Sequence, residues 1–252
     1  MPIFNFALRP LDDVQPSRGR SGLVLTWNDL SDGWFWLTLG GQELLRIAGD
    51  PVEGDLPYLD DQVARLWENL VAILPAVLAP IPEDLSSVLA QPKAWNTLLE
   101  RARAIPDESD RVAAALGFWR ERQLDATSVA GAPELHLWRT GETIHASWST
   151  PKKGAGDADW IRVEGHASMP LADLLLEVRA FDSAFLTLMK ERIDQLGLGQ
   201  LKDLPGTVAI DLTRLIYDQG ERGRTLDAAL EKRAASIDWA EVRWMLRRAL
   251  PQ

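Results

Sequence analysis

DDQVARLWENLVAILPAVL, residues 60–78, is the stretch on which the fold turns. Val63, Leu66, Trp67, Leu70, Val71 and Leu74 recur at the three-and-four spacing of one helix face. Gln62, Arg65, Glu68 and Asn69 fall between them on the opposite side. Asp60 and Asp61 stand where carboxylates complement the exposed amides and the dipole of a helix N-terminus. Pro75 has no amide hydrogen and is expected to end or kink the helix. Burying six such side chains contributes on the order of 10 kcal/mol before conformational entropy is subtracted. The spacing predicts a core helix and assigns it no chemistry.

On its N-terminal side, Ile3 to Leu8 alternates as a half-buried strand does. Leu23 to Trp27 predicts a short strand, and Asn28 to Gly33 a turn. Trp34–Leu39 and Glu43–Ala48 predict a hairpin across Gly40-Gly41, which tolerates the positive φ of a tight turn. Gly49 to Asp61 reads as a loop. On the C-terminal side, short helices are expected over 83–90, 92–104 and 107–123. Glu134 to Trp148 (ELHLWRTGETIHASW) predicts a hairpin. A turn at Thr140-Gly141 would set Leu137 against Ile144 and His136 against His145. Leu135, Leu137, Ile144, Ala146 and Trp148 would then face the core, with His136, Trp138, Thr143 and His145 on the other side. Trp160 to Ala167 alternates as a further strand. Pro170 to Leu196 carries a stripe from Leu171 through Phe181 and Leu188 to Ile193 and predicts a second long helix. Val208–Ile210 reads as a last strand, with helices over 225–235 and 238–250, the latter opened by Asp238 and Glu241 as a capping box. The fold class is α+β: antiparallel hairpins packed on two long amphipathic helices and several shorter ones. A single domain over 1–252 is expected. The linker at 152–159 is the one place where two lobes, 1–150 and 160–252, would separate.

Composition narrows the function. The chain has no cysteine, so it holds neither a disulfide framework nor a thiolate metal site. It has no apolar run of the length a membrane span needs and no signal-peptide pattern, so a cytoplasmic protein without membrane contact is expected. The net charge is −10 and the pI near 4.9. Such a chain repels phosphate backbones, which argues against nucleic acid and for a basic protein partner. The charge is uneven, −8 over residues 1–126 and −2 over 127–252. The eleven tryptophans are read as core-filling rings.

No phosphate-loop pattern, GxSxG elbow or HExxH spacing is present, and no cofactor is implied. The three histidines, His136, His145 and His166, would share one sheet face if the 160–167 strand pairs beside the hairpin. They would then offer an alternative metal or acid–base site. The plainer reading makes them solvent-side strand residues. Paired carboxylates such as Glu83-Asp84 and Asp107-Glu108 are explained as helix caps. The run Asp50, Glu53, Asp55, Asp60 and Asp61 differs because no Lys or Arg lies within it. It reads either as a solvated loop or as a surface that steers and docks a basic protein. Arg243, Arg247 and Arg248 are read as the solvated side of a C-terminal amphipathic helix.

Four stretches carry a resemblance: GWFWLTLGGQELLR at 33–46, DDQVARLWENLVAILPAVLAPIPEDL at 60–85, FWRERQLDATSVAGAPELHLW at 118–138, and LLLEVRAFDSAFLTLMKERI at 174–193. The Arg65-Leu66-Trp67-Glu68 core and the Trp119…Leu124-Asp125…Pro133…Trp138 spacing are its motifs. In this colinear order, from Leu23 to Asp218, the chain resembles an uncharacterised bacterial family. The resemblance carries over no catalytic residue. Its small acidic members are similar in character to the immunity proteins of toxin systems. What it implies is an immunity protein that neutralises a bacterial toxin by covering a basic active site, rather than an enzyme.

Overall fold

A strand whose side chains alternate offers one face to a core and one to water, and here the core faces are closed by two long helices. The computed structural model describes residues 2–19, 22–49, 51, 54–90, 117–125, 129, 131–151, 159–199 and 208–249. In chain order these form β1 (Phe4–Leu8), β2 (Ser17–Gly19), β3 (Gly22–Leu25), β4 (Asp32–Leu39), β5 (Gln42–Leu44) and β6 (Leu59–Gln62). Then come α1 (Val63–Leu78), α2 (Glu83–Leu89), β7 (Gln123–Leu124), β8 (Glu134–Thr140), β9 (Thr143–Ser149) and β10 (Glu164–Pro170). The remainder are α3 (Leu171–Gly197), β11 (Val208–Ile210), α4 (Leu212–Arg222), α5 (Thr225–Glu231) and α6 (Trp239–Ala249). The fold is α+β.

Strand β4 is the axis of the first sheet. It pairs antiparallel with β1 on one side and with β5 and β6 on the other. The β4–β5 turn is Gly40-Gly41, with φ of 55° and 78°, the two positive values a type I′ turn requires. The second sheet runs β10-β9-β8-β7, all antiparallel. A third joins β2 to β3 and, in parallel, β3 to β11.

The main core takes residues from Phe4 to Ala229, so both halves of the chain contribute to it. Leu66, Trp67, Leu70 and Leu74 of α1 are buried, as are Leu174, Val178, Phe181 and Phe185 of α3. Phe185 meets Phe6, Trp27 and Trp67 with ring centroids 5.8, 5.6 and 6.1 Å away. The buried indoles find polar partners: Trp67 Nε1 donates to Asp182 at 2.8 Å and Trp148 Nε1 to Gln42 at 2.9 Å. A second, smaller core joins Ile81, Leu85, Phe118, Trp119, Trp138, Val242, Met245 and Leu246.

Several expectations are corrected. Helix α1 begins at Val63, and Asp60 and Asp61 belong to β6, opposite Trp34 and Gly33. Pro75 lies inside α1, which continues to Leu78. Beyond it, Arg139 and Arg122 donate to the carbonyls of Leu78 and Ala79 at 3.1 and 3.3 Å, capping an end that has no helical partners. The β8–β9 turn is Gly141-Glu142, so Leu137 faces Ala146 and His136 faces Ser147, not His145. The expected core face is unchanged, because the register moves by two residues. His136 and Trp138, expected on the solvent side, are buried under the second core. The strand expected from Trp160 starts at Glu164, Leu188 is 40 % exposed, and α5 ends at Glu231. Arg243 is held by Asp84 in a two-point pair at 2.7 and 2.8 Å. The helix expected over 92–104, most of that over 107–123, and residues 152–158 of the proposed linker lie outside the described residues.

Candidate functional site

The site forms where β1, β4 and β6 run side by side. β1 continues past Leu8 into Arg9, whose amide donates to the Asp32 carbonyl at 2.9 Å. This extends the pairing by one residue and sets Arg9 beside the start of β4. Register places Asp60 opposite Trp34 on the far side of β4. The Arg9 guanidinium therefore meets three carboxylates, Asp60 at 2.6 Å, Asp32 at 3.3 Å and Asp55 at 3.4 Å. Its carbon lies 4.4 Å from the centroid of the Trp34 ring. Burial works against the charge of Arg9, but the hydrogen bond and charge of Asp60 outweigh it and raise its pKa. The Asp32 pKa is raised as well, which for a carboxylate disfavours the charged form. Burial raises its pKa, Arg9 lowers it, and the neighbouring Asp60 charge adds to the rise.

A groove of about 460 Å³ opens here, lined by Arg9, Asp13, Gln15, Ser17, Asp29, Asp32, Asp60, Asp61 and Gln62. The described lining residues thus include five carboxylates and one guanidinium, of which Asp32 and Asp60 contact Arg9. Asp29, only 3 % exposed, accepts from the Ser17 hydroxyl at 2.6 Å and from the Thr26 amide and hydroxyl at 2.8 and 2.7 Å. Asp61 reaches Arg65 at 3.6 Å. Beneath the groove, the buried Arg192 donates to the carbonyls of Leu30 (2.6 Å) and Arg9. Burial brings its pKa down to about 10, opposed by the charge of Asp32. Arg192 ties α3 to the strand ends that carry the acids.

Of the acids singled out in the sequence, Asp55, Asp60 and Asp61 meet at this site, and Asp50 and Glu53 lie outside the described residues. The run has no cation of its own, and the structure supplies Arg9 from the end of β1. Asp13 is visible in the sequence only as half of the Asp12-Asp13 pair, and Asp29, Asp32, Arg9 and Arg192 carry no signal there that points to a site. The acidic residues of the 28–33 turn were visible as charges, but only the β1–β4–β6 register brings them to Asp60.

The three histidines share one sheet face but not one row, since His145 stands opposite Trp138 and Ser168. His136, Ser147 and His166 face one another across β8, β9 and β10. His136 is 8 % exposed, stacks on Trp119 at 4.2 Å and 8°, and burial takes its pKa down to about 3. His145 stacks on Trp138 at 5.5 Å and lies 2.7 Å from the Thr140 hydroxyl. Burial, with the nearby His166, lowers its pKa. His166 is exposed. Among the described residues no group of three or more His, Asp or Glu is arranged to hold a metal ion. None of the described helices is long and apolar enough to cross a membrane.

The family model described as "Family of unknown function (DUF5984)" matches residues 3–245. Comparison with curated proteins and with solved structures finds no match.

Proposed function

The chain belongs to the DUF5984 family, and we propose that this member is a protein-binding protein of the cytoplasm that docks a cationic surface of its partner in the Arg9–Asp60 groove. The observation that supports the reading is the five-to-one excess of carboxylates over guanidinium in one 460 Å³ concavity. The net charge of −10 gives the whole molecule the same sign and would steer a basic partner toward it. An immunity-type role is the specific form proposed: the groove covers the basic active-site surface of a bacterial toxin, and inhibition is steric and electrostatic.

The partner is captured from native host extract on immobilised protein, and its association is then timed against wild type and a double variant, Asp13→Lys with Asp60→Asn. Electrostatic steering predicts association about tenfold slower in the variant, with a flatter dependence on salt. An association rate indifferent to both substitutions would remove the groove as the docking site. Loss of the partner's catalytic activity on binding distinguishes the immunity-type role from plain assembly.

A further inference from the structure

Beside the groove, the outer face of the first sheet carries an aromatic strip. Alternation along β4 turns Asp32, Trp34, Trp36 and Thr38 outward, while Phe35, Leu37 and Leu39 enter the core. Trp36 stacks on Tyr58, which immediately precedes β6, at 4.1 Å and 11°. Both rings are half-buried, whereas Trp34, two residues away, is 6 % exposed beneath Arg9. The Tyr58 hydroxyl donates to Glu43 at 3.1 Å, and Arg46 donates to the same carboxylate at 2.9 Å. The two indoles of this face therefore differ. Trp34 is covered by the chain's own Arg9, which pairs with Asp32, Asp55 and Asp60. Trp36 keeps part of its surface open, and Glu43 beside the stack is held by Tyr58 and Arg46.

We propose that the Trp36–Tyr58 stack is the anchor point for an arginine side chain of the partner, taken in preference to lysine. The inference rests on the groove being a docking site for a cationic protein, and it names the chemistry of the contact. A guanidinium is planar and weakly hydrated, so it stacks on an aromatic face while its N–H groups reach a carboxylate; an ammonium is a strongly hydrated point charge that stacks poorly. Charge complementarity selects a basic occupant, because the groove-lining Asp60 lies two residues from Tyr58 and opposite Trp34, itself two residues from Trp36, where three carboxylates share the single guanidinium of Arg9. The occupant is a protein segment presenting arginine.

The test titrates the full chain with two peptides of about ten residues, one all-arginine and one all-lysine, followed by calorimetry and tryptophan fluorescence. The arginine peptide is expected to bind about fivefold tighter, and the gap is expected to close in Trp36→Ala. Trp36→Phe, which retains a ring at this position, is expected to keep most of the gap, so the test does not hang on the truncation alone. Equal affinity of the two peptides for wild type, or a gap that survives Trp36→Ala, overturns the arginine anchor and leaves the acidic groove standing. Failure of both peptides to bind at low salt overturns the groove and the anchor together.

Discussion

Gly33 is the second residue of β4, and a Cβ built there would lie 2.3 Å from the Ala7 carbonyl oxygen and 2.8 Å from the Leu8 Cα. Both are backbone atoms of the paired strand, so they cannot yield without moving β1 and with it Arg9. Gly33→Ala is expected to destabilise by about 2 kcal/mol or more. Gly220→Ala, in α4 with nothing within 4 Å of its Cβ, should be neutral or stabilising by up to about 1 kcal/mol. Urea unfolding of the two variants checks this pair, and a tolerated Gly33→Ala would contradict the close approach. His136 gives a pH dependence at the same scale. Its pKa in the folded chain, about 3, lies below the 6.5 of the free side chain, so between those values the unfolded chain binds more protons. Stability is full above about pH 6.5 and falls as pH drops toward 3, by up to about 1.4 kcal/mol per pH unit from this group. His136→Phe keeps a ring against Trp119 and should remove that share of the slope, read as the difference in urea midpoint between the two proteins at neutral pH and near pH 5. Identical slopes would mean that His136 titrates normally in the fold.

At the scale of elements, Pro75 shows packing overriding a local rule. The Val71 carbonyl loses its helical donor, yet α1 continues because Val71, Leu74 and Val77 on either side of the proline are buried. Pro75→Ala should restore that hydrogen bond and raise stability by about 1 kcal/mol, seen as a higher urea midpoint with an unchanged slope; a lower midpoint would show that the ring itself packs usefully. The long helices, the Gly40-Gly41 hairpin and Val208–Ile210 were legible because hydrophobic period and turn chemistry agree there. The β8–β9 register differs by two from the one a Thr140-Gly141 turn implies, because Gly141 is not the second residue of its turn. With φ of 52° it stands first, the position at which a type II′ turn needs glycine. Asp60 and Asp61 lie in β6 rather than at the start of α1 for a different reason. Acids just before an amphipathic run look alike whether they cap the helix or end a strand, and pairing with β4 decides it. No local pattern announces that β3 pairs with β11, nearly two hundred residues away.

Across the whole molecule, the sequence showed that negative charge collects in the first half but not where it converges. Convergence needs β1, β4 and β6 in register, Arg9 at the end of β1, and Arg192 reaching up from α3. The buried side of the histidine face was equally hidden, because α6 and residues 118–119, remote in sequence, supply the second core that covers it. Among the described residues, the ends of β1, β4 and β6 leave an acidic groove open beside the half-buried Trp36 and Tyr58, a composition that suits docking of a cationic protein. The most direct measurement is the affinity of wild type for a basic peptide of about ten residues as salt is raised from about 50 to about 500 mM. A fall of about tenfold or more is expected, with both the low-salt affinity and its salt dependence reduced by Asp13→Lys with Asp60→Asn. Absence of binding at the low-salt end, or an affinity that neither salt nor the variant alters, would contradict the proposed role of the groove.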